Sequence, residues 1–329
     1  MVTLLHHTPL VSPSISSLPT VLLGHSPPVG IRSFRCRPFS VLSATSSSST
    51  TPTDGRRSNF ADFPHLSAPH RSLMLNLYST VEDRLGSQLH PCALPSDVEY
   101  FQNEAGTSRG SLYVRQGDSS SLVDFVLGIW INCQLPTGGE LNTTGLLGYL
   151  KGVTDAPNFL FEIIRSGPTS LVVLLDLIPR RDLIMHPDYL RSFYQDTNVD
   201  SHRQALLTLP EARPYFSPAL YIRSMMSPTG SLLKISAGDE EQGRLDEIVG
   251  GQLADASKAM LELWLDRCAL DESRRDNRES EIAYLEKRDR LVKGNMINVD
   301  MESSFPSLFG PENAGRVLRV LREIYGLHC

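Results

Sequence analysis

Phe159-Leu160-Phe161-Glu162-Ile163-Ile164, followed across Ser166-Gly167-Pro168 by Ser170-Leu171-Val172-Val173-Leu174-Leu175-Asp176-Leu177-Ile178, is the stretch that decides the fold. Both runs are rich in strand-forming side chains. The link between them is too short for the crossover of roughly a dozen residues that a parallel pair needs, so they read as an antiparallel hairpin. Working outward, residues 112–116 and 122–135 have the same character and are bounded by Gly117-Asp118 and Pro136-Thr137-Gly138-Gly139, which extends the hairpin into a meander. Residues 219–225 and 232–235 flank Ser227-Pro228-Thr229-Gly230 and read as one more hairpin. Helical periodicity frames this sheet. Residues 70–85 carry Leu73, Leu77, Val81 and Leu85 at spacings of four and stop before Gly86. A short helix is expected at 188–195, a long charged one at 255–290, and a closing one at 312–325. In the last, Val317, Leu321, Ile324 and Tyr325 can face a core while Arg316, Arg319, Arg322 and Glu323 stay solvated. With no internal repeat and no second compositional boundary, the expected architecture is a single α+β domain, helices on a central antiparallel sheet.

The chain has 329 residues, 40% of them hydrophobic, enough for a large core. No run approaches the roughly 18 apolar residues of a membrane-spanning helix. Residues 1–53 differ in kind. They contain no Asp or Glu, are dense in Ser and Thr, and carry only Arg32, Arg35 and Arg37, the composition of an organelle transit peptide, with the Ser/Thr/Pro richness favouring a plastid. Loss of that leader takes the formal net charge from −6 to −9 for residues 54–329, which argues against nucleic acid as the main partner. The five cysteines are scattered, with no C-x-x-C and no His at ligand spacing, so the sequence encodes neither a zinc site nor an iron–sulfur cluster. The usual nucleotide, hydrolase and metalloprotease motifs are also absent.

Attention therefore moves to acids that interrupt apolar strand faces. Period-two alternation puts Glu162 on one face with Leu160 and Ile164, where an unpaired charge would cost several kcal/mol, so it must find a donor or keep its proton. Either state suits a proton donor; the alternative is an ion pair with an Arg, or a residue that ends the buried part of an edge strand. Asp124 and Asp176 interrupt similar runs, and for them an ion pair or a satisfied backbone bond is the expectation. Asp300 lies in the short apolar segment Met296-Ile297-Asn298-Val299-Asp300-Met301. His186 and His202 read as surface residues on the loop side. Separated carboxylates converging on a pocket would suit proton-coupled chemistry on a bulky organic ligand.

Ala156-Pro157-Asn158-Phe159, Pro187-Asp188-Tyr189-Leu190 through Tyr194-Gln195-Asp196 to Asp200-Ser201-His202-Arg203, and Pro214-Tyr215-Phe216-Ser217-Pro218 followed by Arg223-Ser224 resemble the red chlorophyll catabolite reductases of plants. The resemblance runs from about Ser72 to Gly326. It implies the ferredoxin-dependent bilin reductase superfamily: an α/β/α sandwich, no bound flavin, nicotinamide or metal, and electrons from reduced ferredoxin. The implied reaction reduces red chlorophyll catabolite, an open-chain tetrapyrrole, at a methine-bridge double bond to the primary fluorescent catabolite in the chloroplast stroma. The family's acidic pocket residues match Glu162 and Asp300, its substrate-lining backbone matches Tyr215, Phe216 and Ser217, and the residue that steers which face is protonated matches Met226. Implied partners are ferredoxin, the pheophorbide ring-opening oxygenase and other chlorophyll-breakdown enzymes; thylakoid association through them and a homodimer are compatible. Two basic clusters could meet an acidic ferredoxin: Lys287, Arg288, Arg290 and Lys293, or Arg316, Arg319 and Arg322. The competing readings are a non-catalytic protein that sequesters tetrapyrroles and a scaffold for the breakdown enzymes.

Overall fold

The computed structural model describes residues 60–135, 138–238, 243–275 and 278–327. The expected leader, 1–53, and Pro136-Thr137 of the expected turn lie outside them. Among the described residues eight strands form one sheet: β1 (Tyr100–Gln102), β2 (Ser108–Gln116), β3 (Val123–Gln134), β4 (Glu140–Leu150), β5 (Asn158–Ser166), β6 (Ser170–Ile178), β7 (Ala212–Pro214) and β8 (Ser231–Ser236). Their order is β1-β2-β3-β4-β5-β6-β8-β7, and every pairing is antiparallel. The expected β5–β6 hairpin is present in the register Glu162 to Leu174 and Leu160 to Asp176, with Gly167 supplying the positive φ of 110° that the turn requires.

Helices cover both faces, which is why the central strands are apolar on both sides. On one face, Phe159, Phe161, Ile163, Val173 and Leu175 pack with Leu73, Leu77 and Val81 of α1 (Ala68–Leu85). Near them lie Leu206 of α2 (Val199–Leu207) and Met260, Leu261 and Trp264 of α4 (Ala254–Trp264). On the other face, Leu127, Leu147, Leu160 and Leu174 share a core with the C-terminal elements. These are Ile222 and Met225 of α3 (Leu220–Met225), Phe305 and Phe309 of α6 (Glu302–Phe309), and Val317 and Leu321 of α7 (Pro311–Ile324). Each large apolar side chain so buried contributes about 1.5–3 kcal/mol.

Two sequence expectations are corrected, and one strand was not anticipated. Strand β4 carries Gly145, Gly148 and four polar residues, Glu140, Asn142, Thr143 and Thr144, so it does not read as an apolar run. Gly148 marks a close approach of a helix side chain: a Cβ there would lie 2.5 Å from the Trp264 ring. Residues 219–225 are not a strand: Leu220–Met225 is a helix that buries Ile222 and Met225 at a spacing of three, and β8 pairs with β6 and β7 instead. The helix expected over 255–290 is interrupted. Leu265–Ala269 widens into a π turn whose last bond runs from the Leu270 N–H to the Leu265 carbonyl, and Asp271 then accepts from the Ser273 N–H to start a new direction. The chain resumes in α5 (Glu279–Asn295).

One buried ion pair fixes α5 against the sheet. Arg180, just past β6, is wholly buried; its guanidinium lies 2.7 Å from Asp289 and donates to the carbonyls of Thr154 and Lys151 at 2.7 and 3.2 Å. Asn158 at the start of β5 donates to the same Asp289 at 3.2 Å. The end of α5 is thereby set over β5, and the next segment carries Asp300.

Candidate active site

Glu162 belongs to the β5 residues facing the C-terminal helices, and along that face burial relaxes. Leu160 is closed off, whereas Glu162 and Ile164 are half-buried. The same change occurs on β8, where Leu232 and Lys234 are half-buried between closed-off neighbours on the other face. The register aligns Gly145, Glu162, Leu174 and Leu232 across β4, β5, β6 and β8, and the Tyr215 N–H donates to the Leu232 carbonyl at 2.8 Å. Because the residue directly opposite Glu162 on β4 is a glycine, no β4 side chain covers the carboxyl. The result is a partly open patch on the sheet, rimmed by half-buried Tyr215, Met226, Met296 and Met301.

Asp300 reaches this patch from above. It sits in the π turn Met296–Met301 that follows α5, where the Glu302 N–H bonds to the Ile297 carbonyl five residues back. The extra residue in the turn rotates the side chains relative to a regular helix and aims the carboxyl inward. The Tyr221 hydroxyl donates to Asp300 Oδ2, and Oδ1 is buried with no partner among the described residues. Burial, followed by the charge of Glu162, raises the Asp300 carboxyl from 3.8 to about 8. Burial alone raises Glu162 from 4.5 to about 7, and among the described residues its carboxyl has no hydrogen bond or ion pair. Burial, and then the Glu162 charge, also holds Tyr325 neutral far above the usual phenol range. Two buried carboxyls near neutrality, the charge of Glu162 raising Asp300 further, form a pair able to give up two protons in succession.

The other interrupting acids have the structural roles expected of them. Asp124 pairs with Lys293 at 2.8 Å. Asp176 is fully buried on the Glu162 face and accepts from both the N–H and the hydroxyl of Ser227 at 2.6 Å, which ties down the turn after Met226. Ser217 is buried; its hydroxyl accepts from the Ala219 N–H at 3.2 Å and its carbonyl accepts from Arg223. Phe216 is 80% exposed, so near the site it presents backbone and rim. His186 is exposed; His202 lies half-buried on α2, not in a loop. Sequence reading missed Tyr221 because it fell inside a presumed strand. Its signal was a hydroxyl-bearing residue inside the otherwise apolar run 219–222.

The two basic clusters are altered by their surroundings. Lys293 is buried against the Phe125 and Tyr149 rings, each at 4.7 Å, so only Lys287, Arg288 and Arg290 of its cluster reach the surface. Arg316 pairs with Asp97 at 3.0 Å and Arg322 with Glu302. Among the described residues no group of three His, Cys, Asp or Glu could hold a metal ion, and no helix is long and apolar enough to cross a membrane.

Comparison with known proteins supplies the remaining finding. The sequence profile of the family described as red chlorophyll catabolite reductase (RCC reductase) matches residues 69–323, which include every strand and every candidate site residue. The chain is 47% identical over 275 residues to the chloroplastic red chlorophyll catabolite reductase of Arabidopsis thaliana, covering 83% of this chain and 86% of that one. It is 44% identical over 260 residues to the chloroplastic red chlorophyll catabolite reductase 1 of Oryza sativa subsp. japonica, covering 78% of each. The red chlorophyll catabolite reductase of Hordeum vulgare is 44% identical over 205 residues, 62% of this chain and 98% of its own. Among solved structures, phytochromobilin synthase from tomato in complex with biliverdin superposes with a TM-score of 0.56 at 16% identity, covering 78% of this chain and 83% of that chain, which shows a shared fold.

Proposed function

The chain belongs to the red chlorophyll catabolite reductase family, and from that premise we propose that it reduces red chlorophyll catabolite, an open-chain tetrapyrrole, at a methine-bridge double bond. The observation that carries this reading is the meeting of Glu162 and Asp300 on a half-open sheet face, with carboxyls raised to about 7 and about 8. Saturating one double bond consumes two electrons and two protons. Below pH 7 this pair holds one proton on each acid, facing the place where a flat conjugated ligand can lie against Leu232, Met226 and Tyr215. Electrons arrive one at a time from reduced ferredoxin, and each added electron raises the basicity of the pigment until a neutral carboxylic acid next to it gives up its proton. Tyr221, bonded to Asp300, orients that acid, and Asp176, through Ser227, holds the wall that carries Met226. Met226 shapes how the pigment tilts over the acids, and so bears on which face of the bridge carbon is protonated.

The site of action proposed is the chloroplast, in its stroma, in keeping with the acid-free leader and with relatives named chloroplastic. The test is an anaerobic mixture of purified protein, red chlorophyll catabolite and reduced ferredoxin, followed by the appearance of the fluorescent product. Turnover that requires both pigment and ferredoxin supports the reading. Tight binding of pigment without product would instead make this a sequestering protein.

A further inference from the structure

The methionines of the described residues fall into three groups. Met74, Met225 and Met260 are buried in the two cores, and Met185 stands 74% exposed on the loop after β6. The three that are half-buried, Met226, Met296 and Met301, all lie on the rim of the Glu162 patch. Met226 follows α3, and the other two bracket the π turn that carries Asp300. A thioether so placed is open to a small solute and also borders the surface where the pigment lies. The three sulfurs are not equivalent. Tyr149, buried on β4, donates its hydroxyl to Met296 Sδ at 3.2 Å, which ties up a lone pair of that sulfur. The sulfurs of Met226 and Met301 have no hydrogen bond among the described residues, so their lone pairs stay free to attack an electrophilic oxygen.

We propose that Met226 and Met301 form a peroxide-sensitive modification site, whose oxidation to methionine sulfoxide weakens the hold on the pigment. The inference rests on the substrate reading above and adds to it a means of control. In the reaction the thioether sulfur gives an electron pair to one peroxide oxygen, the O–O bond breaks, an S–O bond forms, and the second oxygen leaves as water. Sulfur is oxidised by two electrons and the peroxide is reduced by two. The product carries a strongly polar oxygen on a rim that was apolar. Pigment covering the patch then strips water from that oxygen, and the apolar edge of the ring system offers it no donor, so the cost falls on binding. A thiol-dependent methionine sulfoxide reductase removes the oxygen as water at the expense of two thiols, which makes the change reversible. Met185, exposed and off the rim, is the internal control.

The experiment treats the full protein with hydrogen peroxide, with and without red chlorophyll catabolite, and removes the peroxide. Peptide mass spectrometry then maps the added oxygen, and turnover is measured anaerobically with reduced ferredoxin. Sulfoxide should appear at Met185, Met226 and Met301, with Met296 and the core methionines spared, and pigment should protect Met226 and Met301 but not Met185. The KM for pigment should rise about tenfold, the scale of leaving one polar group without a partner, while the KM for reduced ferredoxin stays put. Methionine sulfoxide reductases specific for the two epimers, supplied with a dithiol, should restore the rate. Met185→Leu should lose as large a share of its rate to peroxide as the wild type does. The double variant Met226→Leu, Met301→Leu should lose none, each protein being compared with its own untreated sample. Tyr149→Phe should add sulfoxide at Met296. Met226 and Met301 left unmodified while Met185 is oxidised, or oxidised with no change in KM, would overturn the site and leave the function intact. So would a double variant that loses rate as the wild type does. An untreated protein that neither binds nor reduces the pigment would remove both proposals before any peroxide is added.

Discussion

Replacing Glu162 by Gln tests the environment of the acid with no substrate present. Burial raises this carboxyl from 4.5 to about 7 in the folded protein. When the folded-state value lies above the unfolded one, the contribution to stability is complete at low pH, where both states hold the proton. As pH rises past 4.5 the unfolded chain releases its proton while the folded protein retains it, so stability declines until the folded group ionises near pH 7. The interval from 4.5 to about 7 corresponds to about 3 kcal/mol at full burial, which half-burial and access of water reduce to about 2 kcal/mol. Glutamine does not titrate. The stability of Glu162→Gln relative to the wild type should therefore improve by about 2 kcal/mol between pH 5 and pH 8.5. Urea unfolding at the two pH values reads this through the fluorescence of Trp130 and Trp264, both buried in the core. The decline caused by Asp300 remains in both proteins, smaller in the variant because the neighbouring charge is gone. A difference between variant and wild type that does not change with pH would refute the claim that Glu162 is held protonated by burial.

Other consequences follow from the packing. Arg180→Met takes the closest cation from buried Asp289, leaving it the Asn158 amide and Arg288 at 3.6 Å, and should cost about 3 kcal/mol in chemical unfolding, much of it recovered when Asp289 is made Leu in the same chain. Gly148→Ala drives a methyl group into the Trp264 ring and should lower stability by about 2 kcal/mol, measurable as a drop in Tm with activity retained in the folded fraction. Asp176→Ala leaves the N–H and hydroxyl of Ser227 without their acceptor; it should cost about 2–3 kcal/mol and broaden the stereoisomer ratio of the product, since the turn after Met226 loses its anchor. A purely structural Asp176 would lower Tm and leave that ratio unchanged.

How legible the site was depended on which property marked each residue. Glu162 stood out because a carboxylate in an apolar strand run breaks a rule that packing enforces, and the hairpin followed from a link too short for a crossover. Asp300 was visible as an acid in a short apolar segment, but its meeting with Glu162 was not. That depends on a π turn whose extra residue no periodicity announces, and on Arg180 and Asp289 setting the helix before it, 109 residues apart in sequence. Strand β4 escaped because its glycines read as breaks, when Gly148 serves close packing against Trp264. Helix α3 was taken for a strand because six residues cannot separate a spacing of two from one of three. The place of β8 between β6 and β7 was hidden for a different reason: that order is not dictated by the order of the strands along the chain.

The central claim is that Glu162 is a neutral carboxylic acid below pH 7. Infrared difference spectroscopy of the wild type against Glu162→Gln, titrated from pH 5 to pH 9, measures it directly through the carbonyl stretch of the un-ionised acid. The account predicts a band present in the wild type at pH 6, missing from the variant, and fading with a midpoint near 7. A wild-type spectrum at pH 6 showing Glu162 as carboxylate would contradict it.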